Sequence, residues 1–466
     1  MNRLLRSENL FAVFILLGAS LLHAQAPTAI SAALRKNIDA IVHQTMASTG
    51  VPSVSIAVVQ NGAITYLQAY GDGRIEPRTP ALPSMRYSIG SVSKQFAAAA
   101  VLLLAEQGKL SLDDPVSRFV PNLTRGNEVT IRELLSHTSG YRDYWPQDYV
   151  FPLMLQPITA DKMLDQWART PLDFDPMTEW QYSNTNFVIA GLIIEKASGE
   201  PLMQFLSEHI FVPLGMKSVM DVDQNRLTET DATGYLRYAL GPLRLAPKEG
   251  KGWLFGAGEL AMTAEDLAKW DISMINQSVL QPASYAQLER EVVLKNGLGT
   301  RYGLGVTVRQ ELGARTIEHN GGASGFTSQN VVFPDARLAV VALVNADSAE
   351  AGDIAHKIAP LLFREADARK QEDQSREIFA ALQRGKINRA LFTDNCNSYF
   401  TEQALKDFAS SLGPLGSPTE FTETNKQERG GMTFRLFEVR FPQKTVDVWE
   451  RIMPDGKIEQ YLVRAK

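Results

Sequence analysis

The sequence predicts an α/β architecture: an antiparallel sheet built from the two ends of a long region, a helical subdomain inserted between those ends, and a small α+β domain after it. Three observations carry this. Residues 54–60 and 63–70 are apolar-rich runs separated by Asn61-Gly62, a pair that tolerates the positive φ of a tight hairpin turn. A second hairpin pattern comes much later, where β-branched and apolar runs at 330–333 and 338–344 flank Pro334-Asp335. Between the two hairpins, apolar residues recur at helical spacing. Strands at both ends of a helical middle are most simply joined in one sheet with helices packed on its faces.

Taken in order, a helix is predicted over 29–50, before the first hairpin. Residues 91–108 place Phe96, Ala100, Val101, Leu103 and Leu104 at helical spacing, and Gly108 supplies the stop. Further helices are predicted over 187–199, 202–210 and 264–275, and one near 349–363 closes the region. Residues 365–376 (EADARKQEDQSR) lack an apolar face and read as a linker or a solvated helix end. Helices at 377–383 and 402–412 should follow, then alternating strands at 432–441, 446–452 and 458–463, the last two joined by Pro454-Asp455-Gly456. The expected division is therefore a signal segment at 1–24, a main domain at 28–364, a linker at 365–376 and a small α+β domain at 377–466.

Composition narrows the function. The chain has 466 residues, 44% hydrophobic and 21% charged, with a net charge of −5. No long basic run exists, which argues against nucleic acid as a partner. Arg3 and Arg6 precede an apolar run over 10–22 and the small-residue site Leu22-His23-Ala24, the pattern of a secretory signal cut after Ala24. The run is too short to span a bilayer comfortably, so no stable membrane span is expected once it is removed. The protein is expected to be exported, to the periplasm or the medium. Its one cysteine, Cys396, allows no internal disulfide, so the fold must rest on its core.

Three short motifs carry chemistry. Ser91-Val92-Ser93-Lys94 puts a hydroxyl and an amine three residues apart, on one face of a helix. A serine is a weak nucleophile until a base takes its proton, and a lysine acts as that base when burial or a neighbouring cation lowers its pKa. Of all the lysines in the chain, Lys94 alone has serine three positions before it. Tyr182-Ser183-Asn184 offers a phenol to share the proton and an amide to hold a carbonyl or orient the lysine. His319-Asn320-Gly321-Gly322 lies among the late strands, where glycines let a substrate backbone approach closely. Rival hydrolase signatures are missing. There is no Gly-x-Ser-x-Gly, and the six histidines are scattered singly, so no zinc motif forms. The stretch 256–261 imitates a dinucleotide fingerprint without the strand that should precede it.

In this order the three motifs resemble the signature of serine β-lactamases and penicillin-binding proteins. The tyrosine form of the second motif is similar to class C β-lactamases, D-aminopeptidases, D,D-carboxypeptidases and related esterases. Residues 109–116, 131–140 and 256–270 look like the same family, and the likeness covers about 30–363. The resemblance implies a β-lactamase/transpeptidase-like fold and an exported serine hydrolase of carboxypeptidase or esterase type. It implies Ser91 as the acylated nucleophile, with Lys94 and Tyr182 as base and proton carrier. Asn184, His319, Gly321 and Gly322 would contact substrate, and the N–H groups of Ser91 and Gly322 would form the oxyanion hole. It implies no metal and no organic cofactor. Its partner would be a small-molecule or peptide substrate, peptidoglycan fragments included. His319-Asn320-Gly321 replaces the Lys-Thr-Gly with which lactamases hold a carboxylate, so esters, amides or D-amino peptides are expected over β-lactams. The alternative is a protein that binds penicillin or peptidoglycan with little turnover. The last domain faintly resembles NTF2-like sheets and carries no catalytic set.

Overall fold

A computed structural model describes residues 29–147, 149–347 and 351–466. The expected signal segment lies outside the described residues. The chain divides into two compact units, one ending at His356 and the other starting at Lys357. Among the described residues, no helix is long and apolar enough to cross a membrane.

In the first unit, helix α1 (Ala32–Thr49) begins where Ser31 Oγ accepts the Leu34 N–H at 3.1 Å and ends at Gly50, whose φ of 70° no β-carbon opposes. Strands β1 (Ser53–Gln60) and β2 (Ala63–Arg74) form the expected hairpin, with Asn61 and Gly62 at φ 55° and 75° in the turn. A short β3 (Thr79–Pro80) edges the sheet. Helices α2 (Ser93–Glu106), α3 (Asn184–Ser198) and α4 (Ala264–Asn276) make up much of the insert. Strands β4 (Thr307–Glu311), β5 (Ala314–Ala323), β6 (Phe326–Phe333) and β7 (Leu338–Val344) complete a seven-stranded sheet of order β3-β2-β1-β7-β6-β5-β4.

The two ends of the region meet where β1 pairs antiparallel with β7, Val54 opposite Val344. Every residue of β1 is buried, so both faces of the sheet are covered there. Ala57 and Val59 join the large apolar cluster that holds Phe96 of α2, Phe187 of α3 and Trp270 of α4. Val54 and Val58 point the other way, paired with Tyr70 and Tyr66, whose hydroxyls donate to Asp39 of α1 at 2.7 and 3.0 Å. Alternation along a doubly covered strand thus explains its unbroken apolar run.

Two local expectations are corrected in this unit. The helix expected from residue 91 begins at Ser93. Residues Gly90–Val92 form a 3₁₀ turn before it, because Gly90 has a φ of 47°, outside helical space. The helix expected over 202–210 is α-helical over Leu202–Leu206 and widens into a π turn over Ser207–Phe211.

Helix α5 (Ala351–Leu382) starts in the first unit and ends in the second. Residues 365–376, expected as a linker, lie inside it, and the separate helix expected at 377–383 is its last turns. Its charges support the helix through i,i+4 pairs, Glu365 with Arg369 at 3.5 Å and Glu372 with Arg376 at 2.7 Å. Helix α6 (Glu402–Leu412) has the expected bounds. Strands β8 (Glu420–Arg429), β9 (Met432–Arg440), β10 (Thr445–Ile452) and β11 (Ile458–Ala465) form an antiparallel sheet in sequence order. Strand β8 escaped the sequence reading: it is an edge strand, mostly exposed and polar, and only its Phe421 is fully buried. A separate core of Phe379, Phe421, Phe437, Val448 and Ile458 fills this unit.

Candidate active site

Ser91 sits in the turn just before α2, so Lys94 falls in the first turn of the helix. Lys94 is 0% exposed. Its Nζ lies 2.9 Å from Ser91 Oγ, 2.8 Å from Asn184 Oδ1 and 2.7 Å from the Ala257 carbonyl oxygen. Burial lowers its pKa from 10.5 to about 7, although the negative charge of Asp143 pulls the other way. The three partners explain how a neutral amine fits here. Asn184 Oδ1 and the Ala257 carbonyl can only accept, so they take the two N–H bonds of a neutral amine. The remaining lone pair is left for the Ser91 hydroxyl.

Asn184 opens α3 and is held in turn by Asp143. The Asp143 carboxylate accepts the Asn184 backbone N–H at 2.9 Å and its Nδ2 at 3.2 Å. This orientation aims the amide oxygen at Lys94. Asn184 lines the cleft, and its Oδ1 is taken by the lysine, the second of the two roles its amide offered in the sequence. Burial raises the Asp143 carboxyl above its ordinary range, and the hydrogen bonds it receives oppose that rise. Tyr182 puts its ring 5.0 Å from Lys94 Nζ and stacks on His137 at 4.3 Å between centroids. His137 is wholly enclosed and its Nδ1 accepts the Ser183 N–H at 3.2 Å, which fixes the backbone of the second motif.

The third motif closes the site from the sheet side. A β-carbon on Gly90 would fall 2.6–2.8 Å from the backbone of Gly322, so the turn before Ser91 is pressed onto β5 at a glycine–glycine contact. A β-carbon on Gly321 would meet the Ile89 carbonyl oxygen at 2.0 Å, whereas one on Gly322 would meet nothing. Gly321 therefore makes room for the protein's own backbone, and it also lines the cleft. Gly322 faces the open cleft.

His319 departs from its expected place. It is 3% exposed and does not line the cleft. Its Nδ1–H donates to the Asn320 carbonyl at 2.5 Å and its Nε2 accepts the Tyr302 hydroxyl at 2.7 Å. Burial, with Lys94 nearby, lowers its pKa to about 3, so the ring is neutral. A histidine with both nitrogens used inside the protein braces the wall and does not hold substrate. On the same strand, alternation turns Asn320 outward into the cleft.

The cleft has a volume of about 1160 Å³. Ser91, Asp143, Tyr182 and Asn184 stand on its floor side, and Trp145, Tyr149, Trp180 and Tyr238 give it an aromatic flank. Its described cation is Arg237, whose Nη1 donates to the Thr49 carbonyl at 3.2 Å.

Sequence reasoning missed Asp143, the Ala257 carbonyl and Tyr302. Asp143 follows closely on the 131–140 stretch, and Ala257 lies inside the 256–270 stretch, both already singled out as family-like. Tyr302 carries no motif.

This fold and site define a serine hydrolase of the β-lactamase type. A model of the beta-lactamase family matches residues 38–363, and the chain belongs to that family. Protein flp of Staphylococcus aureus (strain MW2) is 29% identical over 327 residues, which cover 67% of this chain and 64% of flp. A D-aminopeptidase of Brucella anthropi is 28% identical over 66% of this chain, and the match spans 58% of that protein's length. Among solved structures, D-amino acid amidase from Ochrobactrum anthropi SV3 superposes with a TM-score of 0.62 at 24% identity, over 72% of this chain and 99% of that one. The octameric penicillin-binding protein homologue from Pyrococcus abyssi gives 0.60 at 21% identity, over 92% of this chain and 99% of that one. At these identities the superpositions show a shared fold.

Proposed function

We propose that the first unit hydrolyses esters, amides or D-amino peptides through an acyl-enzyme on Ser91. The observation that carries this reading is the enclosed Lys94 amine, 2.9 Å from Ser91 Oγ and with a pKa of about 7. Neutral Lys94 takes the hydroxyl proton as Oγ attacks the substrate carbonyl carbon. The oxygen that gains charge turns toward the N–H groups of Ser91 and Gly322, a reading supported by the close approach of the Gly90 turn to Gly322. The Tyr182 hydroxyl passes the proton to the leaving group, whose bond to the acyl carbon breaks. Water then attacks the ester on Ser91, and the same groups run the proton transfers in reverse.

Charge sets the substrate class. A β-lactam or a C-terminal peptide brings a carboxylate beside the scissile bond. The third motif offers it a neutral, enclosed His319 in place of a lysine. The aromatic flank suits an apolar acyl or amino-acid side chain. The names of the D-aminopeptidase and D-amino acid amidase relatives support amide substrates. Export belongs to the same reading and is tested by the mass of the mature chain, which should begin at Gln25.

The test is incubation of the mature protein and its Ser91→Ala variant with a fluorophosphonate, short-chain p-nitrophenyl esters, D-amino acid amides and a penicillin. Turnover of esters or amides that Ser91→Ala abolishes is expected. Lys94→Ala should lower it by about 10²–10⁴-fold, the range a general base contributes. Full activity in either variant would reject the mechanism. A long-lived penicillin adduct with no turnover of any substrate would favour a penicillin-binding role.

A further inference from the structure

One rim of the first unit's cleft exposes a surface that is both apolar and positively charged. Strands Tyr235–Arg237 and Leu243–Leu245 pair as a hairpin, with Leu236 opposite Arg244. In its turn the Gly241 N–H donates to the Tyr238 carbonyl at 3.0 Å. Tyr238, Leu240 and Leu245 are 75%, 98% and 70% exposed, so the tip stands clear of the fold. A second segment, 149–158, holds no charged residue and exposes Tyr149, Leu153 and Leu155. Backbone bonds join it to the chain that follows the hairpin. Gly250 N–H donates to the Met154 carbonyl at 2.6 Å, and Ile158 N–H to the Lys251 carbonyl at 2.9 Å. Tyr149 and Tyr238 also line the cleft, so this rim is continuous with its mouth.

Charge points to the kind of partner. Residues 235–251 hold Arg237, Arg244, Lys248 and Lys251 against one carboxyl, Glu249, a net of +3 in a chain of net −5. Glu249 is buried, and that burial raises its carboxyl above the usual range. Arg237 is committed to the Thr49 carbonyl and lies beside Asp347, whereas Arg244 and Lys251 are exposed. Exposed aromatic and aliphatic side chains among cations suit a lipid interface, where the apolar groups enter the acyl boundary and the cations meet phosphates. A protein partner would need a groove cut to fit a protruding tip, whereas a lipid surface gives way around one. We propose that the 235–245 hairpin and the 149–158 segment dock the protein on an anionic lipid surface. Leu240 enters the acyl boundary, and Arg244 and Lys251 meet headgroup phosphates. Docking brings the mouth of the cleft to the lipid, and it does not depend on the chemistry proposed for Ser91.

The test uses the mature chain, without the apolar run at 10–22, and carries Ser91→Ala so that no lipid is turned over. Sedimentation with vesicles of phosphatidylglycerol and phosphatidylcholine in equal parts is compared with phosphatidylcholine alone. Binding to the mixed vesicles is expected, and it should weaken at least tenfold, on the order expected for charge attraction, on phosphatidylcholine alone or when salt rises from about 0.05 to about 0.5 M. Arg244→Gln combined with Lys251→Gln should weaken it about 25-fold, about fivefold for each charge removed. Leu240→Asp should weaken it by about tenfold or more. Both variants should melt like the parent, because the replaced side chains are exposed. Leu245→Asn serves if Leu240→Asp melts differently. Four results would each overturn the proposal: no binding to mixed vesicles at low salt, equal binding to phosphatidylcholine alone, binding that either variant leaves unchanged, or a parent dimer that Leu240→Asp dissociates, which would make the rim a contact between copies.

Discussion

Lys94 is the residue on which the proposed chemistry turns, and its environment makes a prediction about pH. A base must be neutral to act, and its pKa of about 7 puts that change near neutrality. The rate constant kcat/KM should therefore rise with pH through about 7. Asp143 holds the lysine's pKa up, so removing its charge should let the pKa fall further. In Asp143→Asn the acid limb should move to lower pH, and a pH–rate profile of ester hydrolysis checks this. A limb that stays in place would mean that Lys94 is not the titrating base. At this scale Ser91, Lys94 and Tyr182 were legible because their types and spacing are themselves the signal. The role of His319 was not, because sequence does not show that both its nitrogens are used by Tyr302 and by the Asn320 carbonyl.

The elements explain why the site holds its shape. Helix α2 is tied to the sheet by a buried polar network. Gln95 donates to Asn330 Oδ1 at 2.8 Å, and Asn330 donates to Asp271 of α4 at 2.7 Å. Asn330 Oδ1 also accepts the His319 N–H at 3.3 Å, which fixes β5 against the helix carrying Lys94. The two glycines of β5 should then respond differently to a methyl group. Gly321→Ala would drive a carbon to 2.0 Å from the Ile89 carbonyl oxygen and should cost stability and activity together, by about 1–3 kcal/mol or more. Gly322→Ala meets open space, so its melting temperature should stay near that of the parent while substrate binding suffers. Thermal melts paired with ester kinetics separate the two. The first hairpin was legible from Asn61-Gly62 because that turn demands those φ angles. Strand β8 was not, since an edge strand facing water needs no apolar alternation.

At the scale of the whole molecule, each unit has its own core, and the two were legible to different degrees. Motifs identified the first unit's family, whereas the second showed only periodicity. Its charged stretch at 365–376 reads as a linker because salt-bridged helix surface and solvated linker share one composition. The second unit also carries its own pH dependence. Burial raises the Glu450 carboxyl from 4.5 to about 7, so the folded state holds a proton that the unfolded state has lost across that window. Stability of this unit should fall as pH rises from 4.5 to about 7, and Glu450→Gln should flatten that dependence. Denaturant melts across that range check the sign. A parent that instead gains stability over it would contradict the burial of an unpaired carboxyl.

The claim that Ser91 is a nucleophile activated by Lys94 is tested most directly by intact-mass measurement after fluorophosphonate treatment. The purified protein should gain one adduct, mapped to the peptide carrying Ser91 and formed faster as pH rises through about 7. Ser91→Ala should gain none, and Lys94→Ala should react far more slowly. An adduct that survives in Ser91→Ala, or that forms as fast in Lys94→Ala, would contradict the account.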